Sequence, residues 1–282
     1  MGMLYHDRSC LNFEGLSDCL GALNELPDPT SMGPRHRPIS PAHSVTSLLS
    51  CLDDRDITPT RMQMALTKAT KSQPYGAMMY LVLDLEGFKG VHDLDMTRSL
   101  LYINSPRQLS SAKLFEGLDV AVCANGITSY DHELMRRKAT TFRNLHDHHE
   151  EAINRFCSMN SGLVADLEAM ARRELSDSEA KQVIFAAAYG VRIEDSVISP
   201  RSGLSPEDQK SVTYCFPPSK LAEVSNNYFH APYAKKGTMD DCVPRDLTGV
   251  LAGITRALRG QSPETKLDQT THTMRYLAAL AA

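Results

Sequence analysis

The spacing of apolar residues predicts helix first, over residues 44–52 and 58–69. In the first segment four apolar residues share one helical face: Val45, Leu48, Leu49 and Leu52. The second segment opens with Thr58 and Pro59, a capping residue and a first-turn proline, which are typical of a helix start. Two helices are therefore expected ahead of any sheet.

Short apolar runs bounded by turn residues follow and predict β-strands. These runs cover residues 77–83, 99–103 and 118–123. Asn125 and Gly126 form a turn signal that ends the third run. Because the connections are short and contain no clear crossover helix, an antiparallel meander is favoured over a parallel sheet.

The pattern becomes helical again from Ser129 to the end of the chain. An apolar stripe covers residues 134–156, and further helices are expected over 247–258 and 263–282. Ser176 and Glu179 have the spacing of a capping box, in which each residue satisfies a backbone amide of the other. The predicted fold is α+β, with N-terminal helices, an antiparallel β-meander and a largely helical C-terminal half.

The first 42 residues differ in composition from the rest. Prolines and glycines are dense between residues 27 and 41, which favours loop or extended chain. We therefore expect residues 1–42 to form a loosely structured segment and residues 43–282 to form a single α+β domain.

Composition and charge narrow the classes of protein. The chain has 282 residues, of which 42% are hydrophobic and 23% charged, values typical of a globular protein. The net charge of −4 argues against tight non-specific binding of duplex DNA, although it leaves room for a local basic groove. Seven cysteines without a CxxC pair indicate neither a disulfide framework nor a zinc ribbon. Without a signal peptide or a long apolar run, we expect a cytoplasmic protein that does not enter membranes.

The common catalytic motifs are absent from the sequence. There is no phosphate-binding loop, no dinucleotide fingerprint, no nucleophile elbow and no HExxH. We therefore predict no catalytic residues and no cofactor, and an enzyme is the least favoured class.

One cluster leaves metal binding open. His146, His149 and Glu150 would lie on neighbouring positions of a helix, and these residue types bind Zn²⁺ or Mn²⁺. The alternative is a solvated, partly acidic helix face, and we favour it because adjacent charged residues on a helix usually serve solubility.

A group of basic and aromatic residues points to nucleic acid. Its cations would hold phosphates and its aromatic rings would stack on unpaired bases. The candidate residues are Arg107, Lys113, Tyr130, Arg136, Arg137, Lys138, Phe142 and Arg143. The alternative is an ordinary basic patch on a solvated helix, with Glu133 as an ion-pair partner.

Several of these residues also carry a family resemblance. In order along the chain are Asn104-Ser105, a small-residue stretch ending in Gly117, a strand closing in Val122-Cys123-Ala124-Asn125, and Arg136-Arg137-Lys138-Ala139-Thr140. Over residues 75–145 the chain resembles a phage and plasmid family known as domain of unknown function 932, although Ala139 stands where that family usually has His. The resemblance implies a phage or mobile-element origin and no particular activity.

Two functions follow as expectations. The first is binding of nucleic acid, single-stranded in particular, during replication or recombination; the predicted order of helix, meander and long helix is similar to that of phage single-strand annealing proteins. The second is a non-enzymatic interaction protein that inhibits or redirects a host factor such as a defence system. A homo-oligomer is compatible with either function.

Overall fold

The computed structural model describes most of the chain. The described residues are 10–26, 39–71, 75–89, 95–105, 111–120, 127–137, 142–158, 162–189, 193–194, 197–198, 215–230, 245–258, 261 and 263–282. The strands are β1 (Cys10–Glu14), β2 (Arg61–Thr67), β3 (Met79–Lys89), β4 (Asp95–Asn104), β5 (Ala112–Val120), β6 (Ile127–Arg137), β7 (Ile193–Glu194) and β8 (Val197–Ile198). The helices are α1 (Leu16–Asn24), α2 (Pro41–Asp53), α3 (Phe142–Ser158), α4 (Gly162–Arg172), α5 (Asp177–Tyr189), α6 (Leu221–Phe229), α7 (Leu247–Ala257) and α8 (Pro263–Ala281).

Strands β1 to β6 form one sheet in which spatial order follows chain order. Every neighbouring pair is antiparallel. Strands β7 and β8 pair separately as a short antiparallel ribbon. The α+β class and the predicted antiparallel meander are confirmed, and β6 is the last strand of the sheet.

Both faces of the central strands are buried, which explains one wrong prediction. The sequence pattern predicts helix for residues 61–67, yet they form β2 between β1 and β3. Residues 62–66 are all buried, so the alternation of polar and apolar residues that normally indicates a strand is missing. Met, Gln, Ala and Leu also favour helix intrinsically. Pairing on both sides decided the conformation.

Helices α1, α2 and α3 cover one face of the sheet. Leu48 of α2 and Ile153 of α3 pack with Met64, Leu81 and Tyr102 from the strands. The opposite face has its own buried cluster, formed by alternate residues of the same strands, among them Val82, Leu101 and Phe115. Helices α4 to α8 build a separate core that includes Leu118 of β5.

The chain after Ser129 also differs from the prediction. Residues 127–137 are strand β6, paired with β5 through two register shifts, and the first helix of this region begins only at Phe142. Leu134, expected on a helical stripe, is instead buried in the sheet core. The remaining stripe is confirmed, because Leu145, Ile153 and Phe156 of α3 are buried.

The start of α5 agrees with the sequence pattern, whereas the N-terminal segment is more ordered than expected. Ser176 and Glu179 form the predicted capping box, with the Ser176 backbone amide 2.9 Å from Glu179 Oε2 and the Glu179 amide 3.3 Å from Ser176 Oγ. Within residues 1–42, residues 10–26 contain β1 and α1, whose Cys19 and Leu23 are buried. Residues 1–9 and 27–38 lie outside the described residues.

Candidate functional site

A small polar pocket lies where β6 meets α3. Its volume is about 150 Å³. The lining residues come from consecutive positions of β6 and from one side of α3: Glu133, Leu134, Met135, Arg136, Arg137, His148, Glu151 and Arg155. The pocket, called here the β6–α3 pocket, therefore contains two of the predicted nucleic-acid residues.

The strand conformation of β6 determines how its cations are arranged. Successive side chains of a strand point to opposite faces of the sheet. Arg136 pairs in register with Lys113 of β5, so these two cations share a face, whereas Arg137 pairs with Ala112 and shares the face covered by α3. The cations therefore lie on both faces of the sheet at the end of β6, rather than along one face of a helix as the sequence suggested.

Two of the three arginines in the pocket form ion pairs. Arg136 Nε donates to Glu133 Oε2 at 2.8 Å, and this bond raises the pKa of the guanidinium. Arg155 pairs with Glu151 one helical turn earlier and also donates to the Leu134 carbonyl oxygen at 3.4 Å. Both pairs are substantially exposed, so each contributes little to stability.

Three other polar side chains in or beside the pocket differ from Arg136 and Arg155 in their hydrogen bonding. Among the described residues, Arg137, Lys113 and His148 have no hydrogen-bond or ion-pair partner. Arg137 is exposed, and Lys113 and His148 are partly buried. The surface around the pocket contains four cations, which are Lys113 and the three arginines of the pocket, and two carboxylates, those of Glu133 and Glu151. Asp268 of α8 also acts electrostatically on Arg136. The pocket therefore has a positive balance within an acidic protein.

The other predicted residues are only partly placed. Arg107 and Lys138 lie outside the described residues. Phe142 and Arg143 begin α3, but their side chains lie outside the described part. Tyr130 lies on β6 opposite Gly117, three residues before Glu133, and its side chain lies outside the described part.

Arg155 belongs to the pocket but was not among the residues predicted from the sequence. A signal was present, because Glu151 and Arg155 have the i,i+4 spacing of a helical ion pair. His148 lies between the candidate metal ligands His146 and His149, and Glu151 follows Glu150; the structure places both beside the arginines.

The three candidate metal ligands on α3 do not meet at one point. His146 and His149 each place Nδ1 near Ser47 Oγ, at 3.2 and 3.1 Å, whereas Glu150 faces Arg55 at 3.7 Å. Within the part of the chain that the structure describes, no group of three His, Cys, Asp or Glu side chains is arranged to hold a metal ion. The metal hypothesis for these three residues is therefore not supported by their geometry.

A buried polar cluster joins α2, α3 and β4 beneath these residues. Ser47 Oγ lies 3.1 Å from His149 Nδ1, and Ser44 Oγ is hydrogen-bonded to the Tyr102 hydroxyl. Burial lowers the pKa of His149 to about 3, with His146 and His148 adding to the effect. Burial also raises the pKa of the Cys51 thiol to about 11, so this thiol is protonated near neutral pH. The cluster is structural in character rather than nucleophilic.

Comparison with known protein families, curated proteins and solved structures finds no match. The resemblance to domain of unknown function 932 therefore stays a prediction. Among the described helices, none combines the length and the apolar character that crossing a membrane requires.

Proposed function

We propose that the chain binds single-stranded nucleic acid at the β6–α3 pocket and the adjoining Lys113, in the replication or recombination of a phage or similar element. The observation that carries this proposal is Arg137. Its guanidinium is exposed, lines the pocket and has no partner among the described residues. Arg136 and Arg155 line the same pocket, so a phosphate there would meet several guanidinium groups.

The size of the basic surface favours a single strand over a duplex. A duplex is held by phosphate contacts spread across a wide surface, and a protein with a net charge of −4 has little background attraction for it. The four cations of the proposed surface lie around one end of β6, and the pocket of about 150 Å³ suits an individual phosphate group. A flexible single strand can follow such a narrow path.

The two carboxylates of the pocket predict modest affinity. Glu133 and Glu151 already accept hydrogen bonds from Arg136 and Arg155, so a phosphate must compete for these donors. Binding should therefore be sensitive to salt and should depend most on Arg137, which gives up no existing ion pair.

Fluorescence anisotropy with labelled single-stranded and duplex oligonucleotides, over a salt series, tests the proposal. Arg137→Glu should weaken binding of the single strand about tenfold, the effect of removing a charge-assisted hydrogen bond. It should also reduce the slope of log binding constant against log salt concentration by about 0.7 for each phosphate that the variant no longer binds. Lys71→Glu is the control, because Lys71 is exposed after β2, four strands from β6 and about 19 Å away across the sheet.

The outcomes separate the two expected functions. No binding at low salt, or equal losses in the two variants, would overturn the proposal. Equal affinity for duplex and single strand would overturn its single-strand component. A failure of all nucleic-acid binding would direct attention to the interaction protein, for which a single host protein recovered in stoichiometric amount is the required evidence.

A further inference from the structure

A larger cavity lies near the edge of the sheet opposite to β6, between α1, α2 and β2. Its volume is about 760 Å³. Its apolar lining comes from all three elements and their neighbours: Leu16, Leu20, Leu49, Ile57, Met62 and Leu83. Leu16 exposes 52% of its surface there, so apolar surface that a ligand could bury remains in water. Small-molecule sites usually measure about 300–1,000 Å³, and this α1–α2 cavity falls within that range.

Within the described part of the chain, the charges on the cavity lining leave one carboxylate without a side-chain partner. Glu14 and Arg61 neutralise each other through an ion pair of 2.7 Å. Asp53 also lines the cavity, is exposed, and has no side-chain partner among the described residues. The lining therefore has a net charge of about −1 near neutral pH.

The end of α2 strengthens this negative charge. Asp53 is the last residue of the helix, whose final turn contains no basic residue, and Asp54 and Asp56 follow it. A helix C-terminus carries a partial negative charge that favours a nearby cation. Arg55, the neighbouring cation in sequence, is directed to Asn154 at 2.6 Å and Glu150 at 3.7 Å on α3. A positive group beside Asp53 would thus be stabilised by both the carboxylate and the helix end.

From this geometry we propose that the α1–α2 cavity binds a small apolar molecule bearing a positively charged amine. The apolar body contacts Leu16, Leu20 and Leu49, and the amine lies beside Asp53. An anionic molecule of the same shape would face Asp53 and the end of α2 with repulsion. This site shares no lining residue with the β6–α3 pocket, so the two proposals rest on different residues.

Two probes with the same aromatic body and opposite charge test the proposal. Ligand-observed NMR titrations of the full chain with naphthylethylamine and with naphthylacetate measure the two affinities. The amine should bind saturably and about two- to fivefold more tightly than the carboxylate, the range expected for a partly exposed ion pair. In Asp53→Asn the amine should lose that advantage.

A second pair of variants locates the site. Ser50 is exposed and lines the cavity, so Ser50→Trp should occupy part of it and weaken binding of the amine, whereas Ser50→Ala should leave binding unchanged. Circular dichroism verifies that both variants are folded. The proposal is overturned if neither probe binds saturably, if both bind equally, or if folded Ser50→Trp binds the amine as tightly as the wild type.

Discussion

Acidification should destabilise this protein through His149, which is buried between α2, α3 and β4. Its ring lies edge-on to Tyr102 with the ring centroids 5.1 Å apart, and its Nδ1 is within hydrogen-bonding distance of Ser47. Its Nε2 is buried and has no hydrogen-bond partner among the described residues. Because burial lowers its pKa to about 3, the folded protein holds His149 neutral down to strongly acidic pH.

The sign and size of the effect follow from proton linkage. An unfolded histidine takes up a proton below about pH 6.5. Folded His149 does not do so until about pH 3, so the unfolded state binds more protons between these values. The free energy of unfolding should therefore be unaffected by this group above about pH 6.5 and fall by about 1.4 kcal/mol per pH unit below it. Between about pH 6.5 and pH 5 the loss is about 2 kcal/mol.

Urea denaturation at pH 7 and at pH 5 measures this loss. The chain has no Trp, so far-ultraviolet circular dichroism is the suitable signal. His149→Phe keeps an aromatic ring beside Tyr102 and removes the titration, so its loss of stability on acidification should be smaller by about 2 kcal/mol. His149→Gln should show the same reduction, and His148→Asn, which changes a partly buried residue of the same helix, should retain the full loss.

Equal losses of stability between pH 7 and pH 5 in the wild type and both His149 variants would refute this role of His149. That result would mean that His149 is protonated in the folded state at pH 5, or that water reaches its Nε2.

Two further predictions concern helix energetics, each measured by urea denaturation at neutral pH. Gly21 of α1 has open space where the methyl group of an alanine would lie, so Gly21→Ala should stabilise the protein by about 0.5–1 kcal/mol. A Cβ at Gly253 would lie 3.3 Å from the Val224 carbonyl oxygen, so Gly253→Val should destabilise the protein by about 1–3 kcal/mol. A change of the same sign in both variants would contradict this expectation. Ser176→Ala should cost about 1 kcal/mol by removing the cap of α5, and an equal loss in the control Ser178→Ala would show that the cap contributes nothing.

Local signals were sufficient where one element's own residues decide its conformation. The apolar stripe of α2, the capping box of α5 and the long helices α7 and α8 were predicted because their periodicity and capping chemistry lie within a few residues. The antiparallel meander was predicted for a similar reason, since short connections between strands leave no room for crossover helices.

The candidate site was predicted only in part. Arg136, Arg137 and Lys113 were identified as basic residues, and the register of β5 with β6 brings them to one end of the sheet. Arg155, His148 and Glu151 join them only because α3 packs against β6, and that packing depends on residues distant along the chain.

The amino-acid sequence by itself determined the α+β class, the positions of most helices and the basic character of residues 136 and 137. Tertiary structure alone decided that residues 61–67 and 127–137 are strands, because pairing with neighbouring strands outweighs the helical patterns in the sequence. It also decided the chemistry of His149, whose neutral state results from burial between elements about 50–100 residues apart in the chain. Both outcomes depend on long-range contacts, which no local pattern of residues encodes.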